Sequence, residues 1–451
     1  MILLSEDTLA DPDIPGPFLP SIAIGSDFVN WMPGEELIID DKNSAGFLST
    51  VNQLNGYYSV RVILDLDSTS CNLKVNGTSY SDMQVIHVAA GQENSLAITV
   101  SNVLKGINFR ESEFVKLLEV ESTLLSEFYN TGTFMEAGVV LPPSYFTDSS
   151  RYYPTVFVFP GWGTTHISAS QNDFQQKRYG RGYGEEKIFV IMNQDCRYGY
   201  HVFADSENNG PRATSFIDEF IPAYEGRYRA VSDPNARYMV GQSSGAWAAL
   251  WLMVNYPEEF GMVWAGSPDP VDFRDFIGHN LYARKANLFY DSNGNMTLAT
   301  RSADIKFTNK DWSDMESVIG EGVQYQSFEA VFGRKDKNSR PEQVFNRMSG
   351  RISPEAFEHW KQYDINRLIT NNPGTLKSVI DGKINITVAD NDDFFLDGSV
   401  KLLKHTMDSL SIHSNIILLP EGGHNAWNDE IRIIMHTKMD SLLLKVVGAD
   451  Y

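Results

Sequence analysis

Two cysteines in 451 residues, Cys71 and Cys196, leave no material for a disulfide framework or a thiolate metal cluster. They fall in stretches read as different domains, which argues against a bridge between them. Positive charge is also short: 37 Lys and Arg face 58 Asp and Glu, for a net charge of −21. A surface of that sign repels phosphate backbones and anionic lipid, so nucleic acid and membrane surfaces are not expected partners. No apolar run reaches the length of a membrane-crossing helix, and there is no internal repeat or low-complexity segment. The start, Met1-Ile-Leu-Leu-Ser-Glu-Asp7, lacks the basic opening of a secretory signal. The expectation is a cytoplasmic protein, or a periplasmic or secreted one whose true beginning lies outside this sequence.

What remains is ordinary globular composition, with 42% hydrophobic and 21% charged residues, and length for two or three domains. Residues 1 to about 50 are rich in Pro, Gly and Asp and read as an extended lead-in with short strands. From Tyr58 to Asp67 apolar and polar residues alternate, the mark of a strand with one buried face. Strand-like runs follow at Cys71–Val75, Gln84–Val88 and Ser95–Val100, with Asn76-Gly77 and Gly91 as turn signals. Closely spaced strands without helices predict an N-terminal β-sandwich-like domain over residues 1–110.

From residue 111 onward the pattern changes. Phe114–Leu125 and Thr131–Leu141 read as long strands; Thr155–Phe159 and Lys187–Met192 read as parallel strands covered on both faces. Ser215–Tyr228 has helical spacing, and Gly261–Ala265 is another buried strand. Residues 267–372 lack clear strands and read as a helical or irregular insertion over the site. Its aromatics (Trp312, Tyr325, Phe328, Phe332, Trp360, Tyr363) form either a substrate cleft or the insertion's own core. Strand Lys383–Ala389, helix Ser399–Leu410, strand Asn415–Leu419 and a closing helix from about Asp429 to Val447 complete the chain. Alternating strands and helices predict an α/β fold with a mostly parallel sheet over residues 111–451.

The stretch from Arg237 to Leu252 organises this half. A short apolar strand breaks at Gly241, presents Ser243, breaks again at Gly245 and continues as an Ala/Leu/Trp-rich helix. Gly241-Gln-Ser-Ser-Gly245 is a G-x-S-x-G box, in which the serine occupies a strained strand-to-helix turn. The box alone is a weak signal; the strand and helix flanking it strengthen it. The Ser244 N–H, at the helix start, is placed to stabilise an oxyanion.

A serine nucleophile needs a base, and the base an acid, in the chain order Ser, Asp/Glu, His. That order sorts the nine histidines. His405 and His436 lie inside helices, His413 in a helix-to-strand turn, and His87 in the N-terminal strands. His424, within Leu419-Pro-Glu-Gly-Gly-His-Asn-Ala-Trp427, directly follows the last strand. For the acid, Asp390, Asn391, Asp392 and Asp393 compete after Lys383–Ala389. The second oxyanion donor is expected from Pro160-Gly161-Trp162-Gly163, after strand Thr155–Phe159. No metal-ligand spacing accompanies His166 or His201, and no cofactor is implied.

These motifs resemble the esterase D / enterochelin-esterase-like group of α/β-hydrolases, which includes feruloyl and siderophore esterases and S-formylglutathione hydrolase. The resemblance runs from about Phe114 and is carried by Val139-Val-Leu-Pro-Pro-Ser-Tyr145, Pro160-Gly-Trp-Gly163 and Gly241-Gln-Ser-Ser-Gly-Ala-Trp247. It continues through Ser267-Pro-Asp-Pro-Val-Asp-Phe-Arg-Asp-Phe276, His359-Trp-Lys-Gln-Tyr-Asp364 and the Asp392 and His424 loops. Two departures stand out: the group usually has His where this chain has Gln242, and Gly where it has Ala246. Relatives with this kind of N-terminal β domain usually look exported. In that group the acid commonly follows the strand as G-x-x-D, with an aromatic run after it. Aligning Ala389 with the glycine puts the acid at Asp392 and the aromatics at Phe394-Phe395, with Asp393 pointing away.

The resemblance thus implies an α/β-hydrolase fold and a serine carboxylic-ester hydrolase acting on a small-molecule ester. Ser243, Asp392 and His424 would form the triad, and Gly161, Trp162, Gly163 and Ser244 the oxyanion hole. An acyltransferase of the same fold, or a non-catalytic binding protein on a hydrolase scaffold, are the alternatives.

Overall fold

A computed structural model describes residues 1–448 apart from 17–20, 67–68, 74–76, 91–94, 107, 172–176, 178 and 303–305. The N-terminal region is antiparallel β: β1 (Ile2–Ser5), β2 (Ile22–Gly25), β3 (Ala45–Phe47), β4 (Gly56–Leu64), β5 (Ser79–Ser81), β6 (Gln84–Val88) and β7 (Val100–Val103). They are ordered β3-β2-β1-β4-β5-β7, with β6 also paired to β4. The alternation from Tyr58 becomes β4, and the strand expected at Gln84–Val88 forms with those bounds. Cys71–Leu73 form no strand. The rest of that expected strand, Asn76 of the expected turn, and Gly91 lie outside the described residues. The strand expected at Ser95–Val100 begins only at Val100.

The second sheet has eight strands. β8 (Val115–Glu121) and β9 (Phe134–Val140) are an antiparallel pair; β10 (Thr155–Phe159) and β11 (Ile188–Met192) follow. Two small hairpins, β12 (Asp195–Cys196) with β13 (Gly199–Tyr200) and β14 (Asp205–Ser206) with β15 (Gly210–Pro211), stand apart from it. Then come β16 (Arg237–Gln242), β17 (Met262–Gly266), β18 (Ile384–Ala389) and β19 (Asn415–Leu419). The order is β19-β18-β17-β16-β10-β11-β9-β8, parallel from β11 to β19 and antiparallel where β9 meets β11. Every residue of β10, β11, β17 and β18 is buried, as strands covered on both faces require. This is an α/β-hydrolase architecture.

The strand expected to run to Leu125 stops at Glu121. Ser122 accepts the Leu125 N–H and caps a short helix, Thr123–Tyr129, so a local side-chain bond overrides the apolar run. The expected helix at Ser215–Tyr228 begins earlier, at Arg212, and passes through a π-helical turn at Phe216–Phe220. Between β17 and β18 the insertion is helical, with helices Asn309–Ile319, Gln324–Phe332, Pro354–Trp360 and Ile365–Asn371. No helix among the described residues is long and apolar enough to cross a membrane.

The N-terminal sheet rests on the insertion. Leu3, Ala23 and Phe47 share a core with Phe307, Met315 and Val318, and a side chain at Gly25 would meet the Val318 carbonyl at 2.4 Å. Cys71 also reaches the β12–β13 hairpin, its Sγ lying 3.2 Å from Asp195 Oδ1, one residue from Cys196; both cysteines are free. Separation in sequence therefore did not keep the two thiols' neighbourhoods apart. A chain beginning at Glu111 is expected to keep the nucleophile reactive but to melt several degrees lower, because Phe307, Met315 and Val318 lose their cover. Differential scanning calorimetry checks this; an unchanged melting temperature would mean the docking face contributes nothing.

The helix Asn309–Ile319 also carries a buried acid. Glu316 Oε1 accepts from Trp312 Nε1 at 2.9 Å and from the Tyr325 N–H at 2.6 Å. Burial pushes its carboxyl from 4.5 up to about 7, against the pull of Arg347. A raised folded-state value means the folded protein binds the extra proton, so this contribution is full below about 4.5 and is lost as pH rises through about 7. Glu316→Gln does not titrate. Wild type is therefore expected to lose stability relative to this variant between pH 5 and 8, by an order of ~2–3 kcal/mol. Urea unfolding at both pH values measures it, and a difference that does not change with pH would refute the assignment.

Candidate active site

At the C-terminal edge of β16 the chain reverses sharply. Ser243 has φ 56° and ψ −124°, a strained backbone for a residue with a Cβ, and it opens the helix Ser244–Asn255, in which every residue but Asn255 is buried. The flanking glycines are sterically obligatory. A Cβ at Gly241 would lie 2.2 Å from the Gly245 carbonyl oxygen, and one at Gly245 would lie 2.0 Å from that of Phe159. The box is thus the only composition that lets β16, β10 and the helix meet this closely. The turn is pinned further: Ser243 N–H donates to the Gly266 carbonyl at 2.9 Å, and the Asp269 N–H donates to the Ser243 carbonyl at 3.2 Å.

Beyond β10, the Gly161–Thr164 turn approaches the serine. A Cβ at Gly161 would come within 3.3 Å of Ser243 Cβ, so the turn's backbone is held against the nucleophile. Gly161 and Trp162 line the cavity over Ser243; Gly163 does not, and its φ of +83° shapes the turn instead. Ser244 supplies the first N–H of the helix, a position with no intrahelical acceptor.

Beyond β18, Asp392 is completely buried. Its Oδ1 accepts from the Phe394 N–H at 2.9 Å, and its Oδ2 lies 3.0 Å from His424 Nδ1. Asp390 instead is half exposed and pairs with Lys401 at 3.0 Å. Asp393 is not the outward-pointing bystander expected: its Oδ2 accepts the His424 backbone N–H at 2.8 Å. The Phe394 ring stands edge-on to the imidazole, 4.9 Å between centres. His424 faces the same cavity as Ser243.

Gln242 and Asp269 carry roles that were not read from the sequence. Gln242 ties the elbow to the histidine loop, its Nε2 donating to the His424 carbonyl at 3.1 Å and its Oε1 accepting from Trp427 Nε1 at 2.6 Å. Asp269, three residues after β17, is buried beside the serine; Ser243 Oγ donates to its Oδ1 at 3.2 Å and Ser244 Oγ to its Oδ2 at 2.6 Å. Burial raises its carboxyl from 3.8 to about 6. The available signal was position: the carboxyl end of a parallel strand next to the nucleophile strand is where such sheets place ligand-facing groups.

The cavity is about 250 Å³. Of the insertion's aromatics, Trp312, Tyr325 and Phe328 line it, and these three share one buried core with Phe332, Trp360 and Tyr363. All six thus form the insertion's core, and three of them also face the cavity. His166 and His201 stand elsewhere. His166 stacks on Phe109, and His201 is buried with Nδ1 accepting the Phe203 N–H at 3.1 Å.

A strained serine at the end of the central parallel strand β16 shares its cavity with a histidine after β19 that pairs with a buried aspartate after β18, an arrangement that fits an α/β-hydrolase. A family model described as "Putative esterase" matches residues 130–425, and the chain belongs to this family. Similar solved structures include a ferulic acid esterase, 15% identical with a TM-score of 0.44, spanning 73% of this chain and 97% of that one. Another is an S-formylglutathione hydrolase from Agrobacterium tumefaciens, 16% identical with a TM-score of 0.40, over 74% of this chain and 95% of that one. The fluorophosphonate-binding serine hydrolase FphF of Staphylococcus aureus is 11% identical with a TM-score of 0.42, over 72% and 98%. Among curated proteins, the uncharacterized protein YbbA of Bacillus subtilis (strain 168) is 26% identical over 136 residues, covering 27% of this chain and 52% of that protein. The chain thus spans about half the length of that relative.

Proposed function

We propose that the protein hydrolyses a small carboxylic ester through a Ser243–His424–Asp392 triad and an acyl-enzyme. Ser243 Oγ attacks the carbonyl carbon while His424 Nε2 takes its proton. The new oxyanion is held by the N–H of Ser244 and by the Gly161–Trp162–Gly163 turn. Collapse expels the alcohol, which leaves with the proton from His424. Water then attacks the acyl-enzyme, His424 again takes and returns a proton, and the acid departs. Asp392 accepts from Nδ1–H, so Nε2 is left free as the base. In the resting arrangement the serine hydroxyl points to Asp269; a χ1 rotation turns it to His424, an adjustment that substrate commonly brings about.

The observation that carries this reading is the 3.0 Å contact between the fully buried Asp392 and Nδ1 of His424, which lines one cavity with the strained Ser243. Mixing enzyme with excess p-nitrophenyl acetate should give a burst of nitrophenol and a transient mass gain of one acetyl group on the peptide holding Ser243. Steady turnover without an acetylated serine would overturn the acyl-enzyme. We also propose that residues 1–110 form an accessory unit, since no triad residue lies within it.

A further inference from the structure

The carboxylate of Asp269 is hard to explain as part of simple ester hydrolysis. Attack by Ser243 puts negative charge on the substrate oxygen, and a buried anion 3.2 Å from Oγ works against that charge. Its protein partners are all neutral: the hydroxyls of Ser243 and Ser244, and Gln324 Nε2 at 3.2 Å. The titratable groups that act on Asp269 are His424 and Asp392, and these two are paired with each other. No Lys or Arg stands among the described residues that line the cavity. The walls around this lone anion are aromatic, with Trp312, Tyr325 and Phe394 facing inward, surfaces that attract cations.

Resting on Ser243 as nucleophile, we propose that Asp269 is the specificity-determining residue of the cavity, selecting acyl groups with an ammonium on the carbon next to the ester carbonyl. The attacked carbon sits against Oγ, and a substituent two bonds from it falls within hydrogen-bond reach of Oδ1. The leaving alcohol must lie at His424, which protonates it, and the oxyanion at Ser244 N–H, so the acyl carbon is the part free to face Asp269. An ammonium there takes over Oδ1, cancels the charge that opposes catalysis, and releases the serine hydroxyl to His424. Ester selection and nucleophile release are then one event.

The test compares the p-nitrophenyl esters of alanine and of propionic acid, which differ only in the ammonium, on the full-length protein at pH 7. Each kcat/KM is divided by the ester's uncatalysed rate. The wild-type ratio is expected to favour the alanine ester at least tenfold, and to shrink as pH falls below about 6, where Asp269 takes a proton. In Asp269→Asn the ratio should fall to near one, whatever the absolute loss. A wild-type ratio near one, or a preference that survives Asp269→Asn, overturns the proposal; if the variant does not fold, the wild-type ratio and its pH dependence still decide. Hydrolysis of the propionate ester with Ser243 acylated keeps the esterase reading in either case. Turnover of neither ester, with Ser243 unmodified, would overturn both.

Discussion

Replacing Ser243 with alanine is expected to leave the fold intact and lower turnover of p-nitrophenyl butyrate by roughly 10⁴–10⁶-fold. The fold should persist because the side chain's one hydrogen bond is to Asp269, while the elbow is held by backbone bonds to Gly266 and Asp269. A serine at φ 56° is itself strained, and alanine there costs little more. Circular dichroism and melting establish the fold, and steady-state kinetics the loss. Ser244→Ala is a useful contrast. It removes a hydroxyl that braces Asp269 and accepts from Gln324 Nε2, and leaves the backbone N–H in place, so its loss should be far smaller. Near-normal activity in Ser243→Ala would end the nucleophile assignment.

Asp392→Asn carries the second large effect, a loss of roughly 10³–10⁴-fold in turnover. The change is isosteric, yet it replaces an acceptor facing His424 Nδ1 with either an amide donor or a neutral carbonyl. The first forces the wrong tautomer and the second leaves the imidazolium without its counter-charge, in a site where Asp392 has no access to water. Asp390→Asn loses only a half-exposed pair with Lys401 and should stay within about tenfold of wild type. Asp393→Asn keeps an oxygen for the His424 N–H and should also stay within about tenfold, but Asp393→Ala frees the histidine loop and should fall further. Kinetics of all four variants on one chromogenic ester rank them. A dead Asp390→Asn beside an active Asp392→Asn would shift the acid by two residues.

Much of this site was legible because its constraints are local. The glycines at 241 and 245 are dictated by carbonyl oxygens about 2 Å from where a Cβ would stand, and such a demand leaves a mark in sequence. Strands covered on both faces likewise declare themselves as apolar runs, and β10 was read with its true bounds, as was the half-buried edge strand β19. What could not be read depends on partners far away in the chain. Asp269 meets Gln324 from the insertion, and Gln242 meets Trp427 from the last loop. Which of the insertion's core aromatics also line the cavity has the same origin, since all six share one composition. Asp393 was misread because alternation predicts a side chain's direction within a strand and not in the turn after it. The docking of the N-terminal sheet on helix Asn309–Ile319 depends on Gly25 and Phe47, which carry no periodic signal.

The most direct test of the account is fluorophosphonate labelling of the intact protein followed by peptide mapping. A single adduct on Ser243, absent from Ser243→Ala and strongly slowed in His424→Ala, is the predicted result. An adduct on Ser244 or on no serine, in protein that hydrolyses esters, would contradict it.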